Sequence, residues 1–206
     1  MDIIPKSIVM SLLLIISIVL ALTLKSQRNR LFVIFATLFG LIGDVIMALD
    51  VSWRVYVGGS AFFVEHLIYI AMLVLLIKKE KIDLSKNVGF FIGIAFFVIS
   101  TITLEVLAFT MVEKQNVAMA ILVGIYLLGL SANLALNFAY SYKKKGTYYL
   151  FALGMLIFFI TDIWVFLGAL KINKDASSLV WYFYPIGQLL LILFNNDLVF
   201  NKKLVK

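Results

Sequence analysis

The chain has 206 residues, 64% of them apolar and 14% charged, with two prolines, no cysteine and a formal net charge of +7. Soluble domains run roughly 45–50% apolar and about 25% charged, so this balance excludes a soluble globular enzyme, a disordered chain, a disulfide scaffold and a thiolate metal site. The excess positive charge lies in short loops between apolar runs, which reads as a topology signal; no Lys/Arg stretch interleaved with aromatics suggests a nucleic-acid surface.

A helix rises about 1.5 Å per residue, so it needs about 20 residues to cross a hydrocarbon core of about 30 Å. Seven apolar runs meet that length, at approximately 6–24, 31–50, 55–77, 87–109, 116–140, 147–170 and 178–197. They lack the alternation of a membrane β-barrel. The expected fold is therefore all-α: one polytopic transmembrane bundle of about seven helices spanning residues 1–206. The first run, charge-free from Ser7 to Leu24, ends in Lys25, Arg28 and Arg30 without a small-x-small cleavage site, so it reads as a retained helix.

The loops alternate in charge. Thirteen of the eighteen Lys and Arg residues fall in the loops 25–30, 78–86 and 143–145 and in the C-terminal tail, all on one side of such a bundle. The other side holds Lys6, Arg54, Lys114, Lys171 and Lys174. Cytoplasmic loops carry the excess of Lys and Arg, which predicts an outside N-terminus and an inside C-terminus.

An ionisable group at the centre of a bilayer costs about 2.5–3.5 kcal/mol on insertion scales, so the polar residues inside these runs carry the functional information. The second run contains Gly40-Leu41-Ile42-Gly43-Asp44, and the third contains Glu65-His66-Leu67-Ile68-Tyr69. The fifth contributes Tyr126, Asn133 and Asn137, the sixth Thr161-Asp162, and the seventh Tyr182, Tyr184 and Gln188. Asp44 is expected roughly 9 Å inside the outer end of its helix. Asp162 is expected at similar depth, with Glu65 and His66 about ten residues down the third helix. Tyr184 and Gln188 lie one turn apart on one face. All of these could meet in one polar pocket.

Small residues support that convergence. Ala36, Gly40 and Gly43 below Asp44, and Gly58, Gly59 and Ala61 above Glu65, let neighbouring helices approach closely. Other readings compete at each position. Asp44 and Asp162 could be solvated helix-end residues. Glu65 could pack on His66 or snorkel to the surface, and the lone His66 could be a satisfied interior hydrogen-bonder. Trp164, Trp181 and Tyr182 fit an interfacial belt. Asn133 and Asn137 fit interhelical hydrogen bonds, and Asp50, Glu105 and Glu113 fit the interface. No HExxH, paired histidine, phosphate-binding glycine loop or GxSxG elbow occurs; a carboxylate-only Mg²⁺ or Ca²⁺ site through Asp44, Glu65 and Asp162 is conceivable but has no supporting motif, and no metal or organic cofactor is expected.

Gly43-Asp44, then Ala61-Phe62-Phe63 and His66-Leu67-Ile68-Tyr69, then Tyr126, Thr161-Asp162 and Tyr184-x-x-x-Gln188 follow one another in an order that resembles the YhhN family of membrane proteins. The likeness spans most of the chain. Three positions depart from the family pattern: Glu65 stands where small residues are more usual, Pro185 where an aromatic is common, and Thr161 in place of Ser. The family usually has eight helices, and the first run here, with Pro5-Lys6 and Met10, looks like its second.

Animal members of that family are lysoplasmalogenases. The resemblance therefore implies hydrolysis of the vinyl-ether bond of a lysoplasmalogen to a fatty aldehyde and a glycerophospho-head group. Proton delivery to carbon and an oxocarbenium ion would be served by two carboxyl groups, Asp44 and Asp162, as general acid and base in either assignment. His66, Tyr69, Tyr126, Tyr184, Gln188 and Glu65 would contact water or the substrate. The implied partner is a lysophospholipid-like lipid in a bacterial inner membrane. Oligomeric state is not legible from the sequence. Rival readings are a proton-coupled transporter, an intramembrane aspartyl protease and a non-catalytic lipid-binding protein. The spacing in Gly40-Leu41-Ile42-Gly43-Asp44 differs from the GxGD of such proteases.

Overall fold

A computed structural model describes residues 3–23, 30–111, 117–169 and 176–195. These residues form seven long helices: α1 (Ile3–Thr23), α2 (Arg30–Ala48), α3 (Arg54–Lys79), α4 (Val88–Met111), α5 (Val117–Lys144), α6 (Tyr148–Ala169) and α7 (Ala176–Asn195). One 3-10 turn at Leu84–Lys86 separates α3 from α4, and the described residues contain no strand. All seven expected helices are present. Their ends differ by a few residues: α1 begins before Pro5 and takes in Lys6, and α5 runs on to Lys144.

Among the described residues four helices are long and apolar enough to cross a membrane, at Leu31–Ala48, Arg54–Lys79, Ile121–Lys144 and Tyr148–Val165. Shorter apolar segments occupy Ile8–Leu22, Val88–Ile102 and Val180–Leu193. The outward faces are as apolar as the interior. On α1, Ile8, Leu12, Ile15, Val19 and Leu22 are exposed at helical spacing, while Met10, Leu13, Ser17 and Ala21 face inward. Such a stripe would be intolerable in water and is matched to acyl chains.

Helix packing follows the order α1–α2–α3–α5–α6–α7 and returns from α7 to α1, closing a ring, while α4 packs on α5. Glycines set the closest approaches. A methyl group at Gly93 of α4 would stand 2.4 Å from Ala135 Cα on α5, and one at Gly89 would stand 2.4 Å from the Phe138 carbonyl oxygen. Gly154 of α6 and Gly187 of α7 face each other in the same way. Small residues let helix backbones meet where lipid removes the hydrophobic drive for association.

The α3–α4 connection is held by its own side chains. Asp83 accepts from the Ser85 amide at 3.0 Å, and Asn87 caps α4 at the Phe90 amide while donating to the Ala139 carbonyl of α5 at 3.0 Å. At the same end of the bundle Lys144 meets Glu80 at 3.2 Å, joining α5 to α3. Lys81 and Lys145 take the left-handed conformation at φ 50° and 60°, and each ends a helix there.

Candidate active site inside the helix ring

The ring encloses polar residues from α2, α3, α5, α6 and α7. Asp44, Glu65, His66, Asn133, Asp162 and Gln188 are all buried, as are Tyr69, Tyr126 and Tyr184. Adjacent residues of α3 point about 100° apart around a helix of 3.6 residues per turn, so Glu65 and His66 serve different neighbours. His66 faces α5 and α6, and Glu65 faces α2 and α7.

On the first side, Tyr126 of α5 donates its hydroxyl to Asp162 Oδ2 of α6 at 2.6 Å. His66 Nε2 lies 3.2 Å from the same oxygen and 3.1 Å from the Tyr126 hydroxyl. Asn133 Nδ2 approaches His66 Nδ1 at 3.2 Å. With the Asn133 amide nitrogen donating, Nδ1 is the acceptor and Nε2 is the ring nitrogen that faces Asp162. Asp162 Oδ2 thus accepts from the Tyr126 hydroxyl and has His66 Nε2 beside it.

On the second side, Gln188 Nε2 of α7 donates to Glu65 Oε1 at 2.7 Å and lies 3.2 Å from the Tyr184 hydroxyl. Glu65 presses on Gly40 of α2: a methyl there would stand 2.8 Å from Oε2. The alternatives that paired Glu65 with His66 or sent it to the surface are therefore corrected. Asp44 belongs to this side, one turn beyond Gly40 on the same face of α2. The carboxyl groups of Asp44, Glu65 and Asp162 all act electrostatically on the Tyr184 hydroxyl. Asp44 and Asp162 are both buried inside the ring, on α2 and α6. The Phe158 ring joins the halves, with its centroid 5.2 Å from both the His66 and the Tyr184 rings.

A narrow cleft of about 30 Å³, partly open to the surroundings, reaches this cluster. It is lined by Met47, Val55, Gly59, Phe62, Leu122, Tyr126, Asp162 and Val165. Its walls are hydrocarbon and its polar groups are Tyr126 and Asp162. Of the eight candidate residues, these two line the cleft; His66 supports them from behind. Met47 lies three residues beyond Asp44 on α2, so Asp44 stands one turn from the cleft wall. Tyr69 is buried toward Thr37, whose hydroxyl bonds back to the Val33 carbonyl at 2.8 Å, and it does not line the cleft.

Several expectations from spacing resolve differently. Gly58 packs against Met47 as a close-approach residue should, but a methyl at Gly59 would meet nothing within 4 Å; that glycine widens the cleft. Gly43 makes room for the Phe62 ring, which lines the cleft on one side and stacks edge-on to Tyr184 at 6.5 Å on the other. Asn133 joins α5 to α3 as an interhelical hydrogen-bonder and is also part of the site. Asn137 instead accepts from Ser141 within α5 at 3.5 Å. Tyr182 is 69% exposed, as a belt residue would be, and Asp50 is exposed beside Arg54. The side chains of Glu105 and Glu113 lie outside the described residues. Among the described residues no group of three His, Cys, Asp or Glu side chains is placed to hold a metal ion.

Sequence reasoning left the cleft walls unassigned. Their signal is helical spacing: Val55, Gly59 and Phe62 recur at i, i+4 and i+7, and Leu122 and Tyr126 at i and i+4. That period is shared with every buried stripe in the bundle, so it marks a face without marking a cleft.

Fold and site together define a class: a helical membrane bundle that holds acidic, imidazole and phenol groups at the inner end of an apolar cleft. The chain belongs to the YhhN family, whose model matches residues 1–194. Comparison with curated proteins found no match, and comparison with solved structures found none.

Proposed function

We propose that this protein is a membrane-embedded hydrolase of the lysoplasmalogenase type, cleaving the vinyl-ether bond of a lysophospholipid-like substrate. Membership of the YhhN family is consistent with that activity. The observation that carries the reading is Asp162: it sits in the wall of an apolar cleft and accepts from the Tyr126 hydroxyl with His66 Nε2 beside it. The apolar wall residues Met47, Val55, Phe62, Leu122 and Val165 suit contact with an alkyl chain that reaches the cleft from the surrounding lipid.

The reaction begins when an acid protonates the vinyl carbon remote from the ether oxygen, leaving an oxocarbenium ion. Asp162, with the Tyr126 hydroxyl donating to it and His66 Nε2 beside it, is suited to remain a carboxylate facing that cation and to take a proton from the attacking water. Asp44 is then the proton donor. The resulting hemiacetal passes its hydroxyl proton to the departing glycerol oxygen and collapses to aldehyde and alcohol. The proton that Asp162 gained returns to the acid side of the site, so the cycle closes without net proton uptake. No step calls on a metal or an organic cofactor.

On this reading the protein lies in a bacterial inner membrane; the excess of Lys and Arg in alternate loops supports an outside N-terminus and an inside C-terminus, with the cleft toward the outer half of the bilayer. The test is aldehyde release by purified protein from lysoplasmenyl-ethanolamine, set beside an acyl lysophospholipid. Release from the first alone, lost in Asp44→Asn and Asp162→Asn, supports the hydrolase. A folded protein that releases no aldehyde rejects this substrate, and proton flux in liposomes would replace the reading with a carrier.

A further inference from the structure

Glu65 is a fully buried carboxyl group in the middle of α3. Oε1 accepts from Gln188 Nε2 at 2.7 Å. Oε2 is buried and has no hydrogen-bond partner among the described residues. It rests on the face of α2 opened by Gly40, where any side chain would displace it.

Among the described residues the surroundings contain no matching cation. From α2 comes Asp44, from α5 Tyr126, from α6 Asp162, and from α7 Tyr184 beside Gln188. On its own helix Tyr69 lies one turn away, and His66 is turned to Asp162 and Asn133. A carboxylate in this position would be a buried charge with one amide donor and two acidic neighbours, an arrangement that lipid and protein interiors both penalise heavily. A carboxylic acid is matched better: the Gln188 amide serves Oε1 as a carbonyl, and the hydrogen sits on Oε2.

From this geometry we infer that Glu65 is a neutral carboxylic acid at neutral pH, held by Gln188 and admitted by Gly40, and that it is a positioning residue keeping a proton available to Asp44. Gly40 and Asp44 are four residues apart on one face of α2, so Oε2 rests one helical turn from Asp44 without a hydrogen bond to it, and the transfer to Asp44 runs through a bridging water. After Asp44 has given its proton to the vinyl carbon, Glu65 passes its own to the Asp44 carboxylate. The proton that Asp162 takes from water then restores Glu65. The relay rests on the hydrolase reading; the protonation of Glu65 does not.

Infrared spectroscopy of the substrate-free full chain in lipid vesicles at neutral pH tests the protonation. The expected result is the carbonyl band of a protonated carboxylic acid that disappears in Glu65→Gln and moves to higher wavenumber in Gln188→Leu, where that carbonyl loses its donor. The absence of such a band, or a band indifferent to both substitutions, overturns it. Gln188→Leu leaves the acid in place and carries the test should Glu65→Gln not fold.

With the vinyl-ether substrate, Glu65→Gln is expected to lower kcat about tenfold or more while KM stays within about twofold, and Glu65→Asp to recover part of the loss. A Glu65→Gln protein with wild-type kcat and pH profile overturns the relay. A wild-type protein without activity overturns the hydrolase reading and the relay together, and the infrared result still decides the state of Glu65.

Discussion

Tyr126 on α5 and Asp162 on α6 share a 2.6 Å hydrogen bond where both line the cleft. In the proposed hydrolase this contact ties substrate access and acid chemistry to one helix interface. Asp162→Asn keeps the shape but removes the carboxylate, and aldehyde release should fall about 10²- to 10⁴-fold, the usual contribution of a general base. Tyr126→Phe removes one neutral donor and should cost on the order of tenfold. Retained thermal melting in both variants, read beside kcat/KM, separates chemistry from folding. Equal activity in Asp162→Asn and wild type would remove Asp162 from the mechanism.

Asn133 fixes the His66 ring by donating to Nδ1. In Asn133→Leu the imidazole is free to place its proton on either nitrogen, and Asp162 loses a directed donor for part of the time. The expected outcome is a drop in kcat of about threefold to tenfold with little change in KM. Nitrogen NMR of the single histidine, the only one in the chain, reports the tautomer directly.

Gly59 leaves open space where a side chain would otherwise project. Gly59→Phe should fill part of the cleft and raise KM for the vinyl-ether lipid about tenfold or more, with a smaller effect on kcat. A substrate with a shortened alkyl chain should be less affected. Unchanged KM for both lipids would place the substrate elsewhere.

Close packing of α4 on α5 depends on glycine at position 93, where a methyl would stand 2.4 Å from backbone. Gly93→Ala should destabilise the protein by about 1–3 kcal/mol, the range for overpacking a close contact. Gly124→Ala, where nothing lies within 4 Å, should be neutral or slightly stabilising through helix propensity. Chemical denaturation in mild detergent distinguishes the two.

The orientation inferred from loop charge is open to direct labelling, because the chain has no cysteine of its own. Ser52 and Ser85 are both exposed, in the α2–α3 and α3–α4 connections. Ser52→Cys should react with an impermeant thiol reagent in intact cells, and Ser85→Cys only after permeabilisation. The reverse pattern would invert the topology.

Composition and length determined by themselves that this chain forms seven apolar helices, because a bilayer-length run with almost no charge has few other stable structures. The polar residues inside those runs were equally legible, since lipid makes each one expensive and leaves it conspicuous against Leu, Ile and Phe. Which of them meet was decided only in three dimensions. Glu65 and His66 are neighbours in the chain, yet the turn between them sends one to Gln188 on α7 and the other to Asp162 on α6. Gly59 reads in the sequence as a packing glycine and opens a cleft instead, because α5 and α6 leave space opposite it. Helical periodicity fixes the direction of a side chain relative to its own axis; the rotation and contact of each helix against its neighbours decide what that side chain finds.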